Sequence, residues 1–242
     1  MDHGILGRPE GLENLEKTLD LLLPVKPQGV LVNPGVLPRV APRLAGRGGP
    51  AAVLGLNLHL TSTMPQGAAA GQQHRVLGSL EQAAALGADC VKLLLIFGDS
   101  GLKAFADNMA FVASTVEASQ RLGIPVMVEP TVWAYPDRPP QALTVEQLAH
   151  MARIAVELGA DILKIQFAPP ADEFRTIIEE SPVPVVILGG VRSRSAAEPL
   201  EVARQAVAAG AAGLVFGRNV WQQPDPAGVL SRLVEVVHGT PG

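Results

Sequence analysis

Short apolar runs rich in β-branched residues recur along the chain, and stretches of helical periodicity separate them. Runs at 29–33, 51–56, 90–97, 125–132, 161–167, 184–190 and 213–217 predict seven strands. Segments 11–23, 102–122, 144–158, 171–179, 197–209 and 227–237 carry apolar residues at helical spacing and predict helices. Such alternation implies parallel strands joined by helical crossovers. The tetrapeptide Leu86-Gly87-Ala88-Asp89 recurs as Leu158-Gly159-Ala160-Asp161, with a looser copy at 209–213. Each copy reads as a glycine that ends a helix, followed by entry into the next strand.

A chain of 242 residues, 48% hydrophobic and 17% charged, matches a single α/β domain of the (β/α)8 TIM-barrel type spanning 1–242. Seven strands leave one missing. Met1-Asp2-His3-Gly4 leads straight into the first helical segment, so the chain is expected to begin at the C-terminal, catalytic end of a truncated strand one, through a shortened or misassigned start. Residues 57–77, polar and rich in Gly, Ala and Gln, are long for a connection and are expected to form a lid or a disordered loop on the catalytic face.

Composition narrows the function. A net charge of -4 offers no basic field for nucleic acid. Apolar stretches are too short to span a membrane, and no export signal precedes them. Cys90 is the single cysteine, which excludes an intramolecular disulfide and points to a cytoplasmic protein.

The chemistry concentrates at strand ends, where this fold places its reactive groups. Lys164 lies inside the apolar run Ile162-Leu163-Lys164-Ile165. Burial there favours the neutral amine, a nucleophile toward carbonyls; the alternative is a lysine that snorkels to water or pairs with a carboxylate such as Asp161. Glu129 and Tyr135, on the run 125–132 and the loop after it, offer a carboxylate and a phenol for proton transfer. Glu129 could equally be the ion-pair partner of a barrel lysine, and Tyr135 could simply stack beside Trp133. Gly189-Gly190 and Gly217-Arg218 close two successive strands, and together they suit a phosphate.

These residues carry a family resemblance over nearly the whole chain. Met1-Asp2-His3-Gly4, Trp133-Ala134-Tyr135-Pro136, Gly159-Ala160-Asp161-Ile162-Leu163-Lys164, Gly189-Gly190 and Gly217-Arg218-Asn219-Val220-Trp221-Gln222 resemble the class I aldolases of the fructose-bisphosphate, deoxyribose-phosphate and tagatose-bisphosphate aldolase superfamily, above all its archaeal-type fructose-bisphosphate aldolase branch. The resemblance implies a Schiff base on Lys164, acid/base work by Tyr135 and assistance from Asp2. It further implies a pocket shaped by Trp133 and a ketose phosphate held by Gly189, Gly190, Gly217 and Arg218.

Two departures qualify it. The branch usually continues Tyr-Pro with an arginine that holds the distal phosphate of a bisphosphate, whereas here Asp137 takes that place, with Arg138 next to it. Lys92 and Glu129 instead look like the lysine and glutamate of tagatose-bisphosphate and sulfofructose-phosphate aldolases, so the chain carries two candidate acid/base sets. Related transaldolase-like synthases and thiolases share the lysine and glycine motifs. The histidines are scattered, giving no zinc site of the class II kind, and Gly46-Arg47-Gly48-Gly49 follows a helix rather than a strand, so no nucleotide-cofactor fingerprint is present. The expectation is a cofactor-independent lyase acting on a small phosphorylated sugar or keto substrate, as a homo-oligomer. The rival is a sugar-phosphate-binding barrel without turnover.

Overall fold

The computed structural model describes residues 1–60, 73–98, 102–132 and 143–239. A 3-10 turn, Asp2–Leu6, precedes α1 (Leu15–Leu22), β1 (Gly29–Val32), α2 (Leu37–Leu44), β2 (Ala51–Gly55), β3 (Asn57–Leu60), β4 (Gln73–Val76), α3 (Leu80–Ala85) and β5 (Cys90–Phe97). The chain continues as α4 (Leu102–Leu122), β6 (Val126–Val132), α5 (Val145–Glu157), β7 (Ile162–Ile165), α6 (Ala171–Glu180), β8 (Val185–Leu188), α7 (Ala197–Ala208), β9 (Gly213–Val215), α8 (Arg218–Trp221) and α9 (Pro226–His238). All seven predicted strands are present, in the order β1-β2-β5-β6-β7-β8-β9, and every neighbouring pair is parallel.

Local chemistry sets the element ends. Asn14, Ser79 and Asp225 accept the backbone N–H three residues on, and Thr144 with Gln147 forms a capping box at the start of α5. Gly87, Gly159 and Gly210 take positive φ after α3, α5 and α7, as the repeated tetrapeptide predicts. The aspartate of each full copy does more. The backbone N–H of Asp89 donates to the Ala52 carbonyl while its carboxylate accepts from the Ala52 N–H at 2.8 Å. Asp161 does the same to Val126, also at 2.8 Å. In the third copy Ala212 keeps only the backbone half of this clasp, to Val185. The repeat is therefore a device that ties each strand's start to the strand before it.

Strand residues alternate between two apolar environments. Leu93, Leu95, Val128, Leu163, Ile165 and Ile187 are fully buried and face outward onto the helices, where Val112, Leu148, Phe174 and Ala203 complete the layer. The intervening positions point into the barrel. This is the curled α/β sheet of a TIM barrel, with β1 and β9 at its two ends. Between those ends and beneath Lys164 runs a cavity of about 480 Å³, walled by Val30, Met127, Ile162, Val186 and Leu214, with Asp2 and His3 at its rim. The N-terminus is drawn onto β1: the Met1 nitrogen donates to the Leu31 carbonyl at 2.5 Å, and Asn33 Nδ2 donates to the Asp2 carbonyl at 2.6 Å.

One expectation is corrected. The two ends of the supposed lid, 57–77, form an antiparallel hairpin of β3 and β4, while 61–72 lie outside the described residues. Buried Asn57 pins the hairpin to β5, accepting from the Leu94 N–H at 2.7 Å and donating to its carbonyl at 2.9 Å. Asn108 of α4 donates to that same carbonyl at 3.0 Å and accepts from the Ile96 N–H at 2.7 Å. Such side-chain satisfaction of strand backbone is invisible to hydrophobic periodicity.

Candidate active site

Three neighbouring strands each aim one ionisable side chain inward. Register places Leu94 beside Glu129, and the pairing of Val128 with Leu163 sets Glu129 level with Lys164; Lys92 lies two residues lower on β5. Glu129 Oε2 receives both ammonium groups, Lys164 Nζ at 2.8 Å and Lys92 Nζ at 3.0 Å. Lys92 also lies 3.4 Å from Asp2 Oδ2, and His3 Nδ1 sits 3.2 Å from Asp2 Oδ1. Lys164, Glu129, Lys92, Asp2 and His3 thus form one continuous polar chain from the barrel interior to its rim.

Both lysines are nearly inaccessible, at 7% exposure for Lys164 and 4% for Lys92. Buried ammonium groups persist only when paired, and here alternating charges meet that condition. Burial favours the neutral form of Glu129, but Lys164 and Lys92 outweigh it and hold the carboxyl down at about 2. Asp2 is likewise held well below the usual carboxylate range against its burial, by Lys92 and by its bond to His3. Burial pulls Lys92 downward, yet Glu129 and Asp2 together leave it raised. Both carboxylates of the site are thus held in their ionised form.

Asp161, offered from sequence as a partner for Lys164, is not that partner: its carboxylate is committed to the Val126 N–H, and Glu129 takes the role. Position explains this. Asp161 precedes β7 at the opposite end from Lys164, whereas Glu129 is in register with the lysine.

Beside this cluster two backbone turns meet. Gly189-Gly190 follows β8, and Gly217 leads from β9 into α8, whose first residue is Arg218. The side chain of Asn219 joins them through Gly189, Val191 and Ser193. Arg218 is half-buried; burial lowers its pKa while Asp2 and Glu129 oppose that shift, and its Nε has no partner among the described residues. An added Cβ at Gly217 would come within 2.2 Å of the Trp221 ring, so that position requires glycine for space, and one at Gly189 would come within 3.0 Å of Phe216, a tight fit.

The structure therefore brings together Lys164, Glu129, Lys92 and Asp2 in one group and Gly189, Gly190, Gly217 and Arg218 in another. Trp133, Tyr135, Asp137 and Arg138 lie outside the described residues. One residue was not marked from sequence, Asn219 in the short helical turn after β9, while His3, placed on the active face from sequence without a role, is bonded to Asp2. The described residues contain no grouping of His, Cys, Asp and Glu able to hold a metal ion, and no described helix is long and apolar enough to cross a membrane.

Residues 1–223 match the DeoC/LacD family aldolase description. The chain belongs to that family. It is 31% identical over 240 residues to a 2-amino-3,7-dideoxy-D-threo-hept-6-ulosonate synthase of Halobacterium salinarum, covering 98% of this chain and 84% of the relative. It is 30% identical to a 2-amino-4,5-dihydroxy-6-oxo-7-(phosphonooxy)heptanoate synthase of Streptomyces griseus, covering 99% of this chain and 84% of that protein. Among solved structures, an archaeal fructose 1,6-bisphosphate aldolase superposes with a TM-score of 0.80 at 24% identity, covering 99% of this chain and 92% of that one. A Schiff-base-forming fructose-1,6-bisphosphate aldolase superposes with a TM-score of 0.79 at 25% identity, covering 98% and 92%. The resemblance drawn from the motifs, including its archaeal-type branch, agrees with these findings, and the chain is an aldolase-type lyase.

Proposed function

We propose that this aldolase works through a Schiff base on Lys164 and acts on a phosphorylated ketose or keto donor. The observation that carries the reading is a buried lysine whose nitrogen lies 2.8 Å from a buried carboxylate at the top of an apolar cavity. In this mechanism Lys164 first loses its extra proton to water, the amine attacks the donor carbonyl, the carbinolamine loses water, and the resulting iminium accepts the electron pair released when the bond between its α- and β-carbons breaks and the β-hydroxyl gives up its proton. Glu129 supports that route because an iminium keeps positive charge where the ammonium was, so the carboxylate stabilises both. A pKa near 2 makes Glu129 a poor base at rest. The substrate hydroxyl proton is therefore assigned to Tyr135, while Glu129, Lys92 and Asp2 tune Lys164 and pass protons toward the rim. The unpartnered Nε of Arg218 and the glycines at 189, 190 and 217 form the phosphate cup.

A second reading has its own support. Synthases named for 2-amino-3,7-dideoxy-D-threo-hept-6-ulosonate or for 2-amino-4,5-dihydroxy-6-oxo-7-(phosphonooxy)heptanoate align with 98–99% of the chain at 30–32% identity, whereas a fructose-bisphosphate aldolase of Halobacterium salinarum aligns with 66% at 32%. A transaldolase-like synthase would use the same imine but pass the enamine to a second carbonyl acceptor. Cleavage of phosphorylated ketoses, and transfer of their three-carbon unit to added aldehydes, should be followed in wild type, Tyr135→Phe and Glu129→Gln. Release of free aldehyde without acceptor supports the aldolase, strict acceptor dependence supports the synthase, and neither activity with any phosphorylated donor contradicts both.

A further inference from the structure

The β8–α7 loop has an unusual anchor. Asn219 is only 2% exposed, and all of its side-chain bonds go to one five-residue stretch. Its Nδ2 donates to the Gly189 carbonyl at 2.6 Å and to the Val191 carbonyl at 2.9 Å, while its Oδ1 accepts from the Ser193 N–H at 2.7 Å. One helical turn on, buried Gln223 reaches the Ser193 carbonyl at 3.4 Å.

Peptide geometry gives this pattern a consequence. Both loop peptides are trans, and in a planar trans unit the carbonyl and the following N–H point in opposite directions. Holding the carbonyls of Gly189 and Val191 against Asn219 therefore turns the N–H groups of Gly190 and Arg192 away from it, onto the exposed side of the loop. Gly190 takes φ +67, a left-handed backbone that glycine adopts without steric cost. A freely rotating loop would present carbonyl oxygens to an anion part of the time and repel it.

We infer that Asn219 is the positioning residue of the anion cup: it withdraws the carbonyls of Gly189 and Val191 so that the Gly190 and Arg192 amides are free to donate to a phosphate. This rests on the phosphate reading given above and extends it to two named donors, of which the Arg192 amide was not anticipated. Asn219 acts through the loop rather than on the reacting atoms. Its loss should therefore raise KM for a phosphorylated donor while leaving kcat at saturation nearly unchanged.

Two measurements test it. In the wild-type protein, titration with inorganic phosphate should shift the amide resonances of Gly190 and Arg192 and leave that of Ser193, already bonded to Asn219, nearly still. In Asn219→Ala the dissociation constant for phosphate and KM for the phosphorylated donor should both rise about tenfold, the loss expected from one or two misdirected hydrogen bonds. Phosphate binding that leaves the Gly190 and Arg192 amides unmoved, or that is undiminished in folded Asn219→Ala, would overturn the positioning role alone. Absence of phosphate binding by the wild type would overturn the phosphate reading and this inference with it. The resonance experiment needs no variant, so it decides the matter even if Asn219→Ala does not fold.

Discussion

The two halves of the site are built in opposite ways. On β5, β6 and β7 the proposed chemistry falls to charged side chains, with Glu129 shared by Lys92 and Lys164 and Asp2 completing the line. At the ends of β8 and β9 the proposed phosphate cup is mostly backbone, and the side chain that anchors its loop, Asn219, is neutral and faces away from solvent. The first half obtains its properties from burial and Coulomb interaction, so removing one charge leaves another stranded in an apolar interior. The second half obtains its properties from the direction of peptide dipoles, so one amide swings orientation without stranding an ion. Damage to the first should be large in both stability and rate; damage to the second should be modest and confined to affinity.

The sharpest way to break that contrast is Glu129→Gln. It leaves Lys92 with Asp2 alone and Lys164 without an anion, and should cost about 3 kcal/mol of stability together with a fall in turnover of roughly a hundredfold, from lost electrostatic stabilisation of the iminium. Denaturant unfolding and steady-state rates measured on the same preparation check both, and a variant as stable as wild type would remove the distinction between the halves. Acid provides the next test. Glu129 titrates near 2 in the folded protein against an ordinary value of 4.5, and Asp2 is also depressed, so their contribution to stability is complete above about pH 4.5 and drains away as pH falls toward 2. Stability followed through that window should decline more steeply in wild type than in Glu129→Gln; parallel curves would show that the carboxylate is not held by the lysines. The smallest effect belongs to an exposed carboxylate outside the cluster. Asp161→Ala frees the Val126 N–H and should cost about 1 kcal/mol with kcat unchanged, whereas a loss of rate comparable to that of Glu129→Gln would mean Asp161 serves Lys164 after all.

This division also explains what could be read from the chain. Strand and helix periodicity located the parallel sheet because each strand buries apolar residues on both faces, and the helix-ending glycines marked the approach to strands. Lys164 stood out because a charge inside an apolar run demands compensation. The identity of its partner did not follow from proximity in sequence: Asp161 is three residues away and Glu129 thirty-five, but strand register, not spacing, decides which carboxylate lies alongside. The β3–β4 hairpin escaped notice because its anchor is the Asn57 side chain bonded to the backbone of Leu94, a polar contact within a stretch that composition reads as loop. Asn219 was visible inside the glycine-arginine motif, yet its role depends on three backbone groups of a loop 26 to 30 residues earlier. Side chains that carry charge announce themselves in sequence; side chains that orient backbone do so only once the fold is known.

The central claim is that Lys164 carries the substrate as an imine. Incubation with dihydroxyacetone phosphate and borohydride, followed by peptide mass spectrometry, tests it most directly. The account predicts a single reduced adduct on the peptide containing Lys164, absent from Lys164→Met and present, though slower to form, in Asn219→Ala. An adduct of undiminished yield in Lys164→Met, or one located on Lys92, would contradict it.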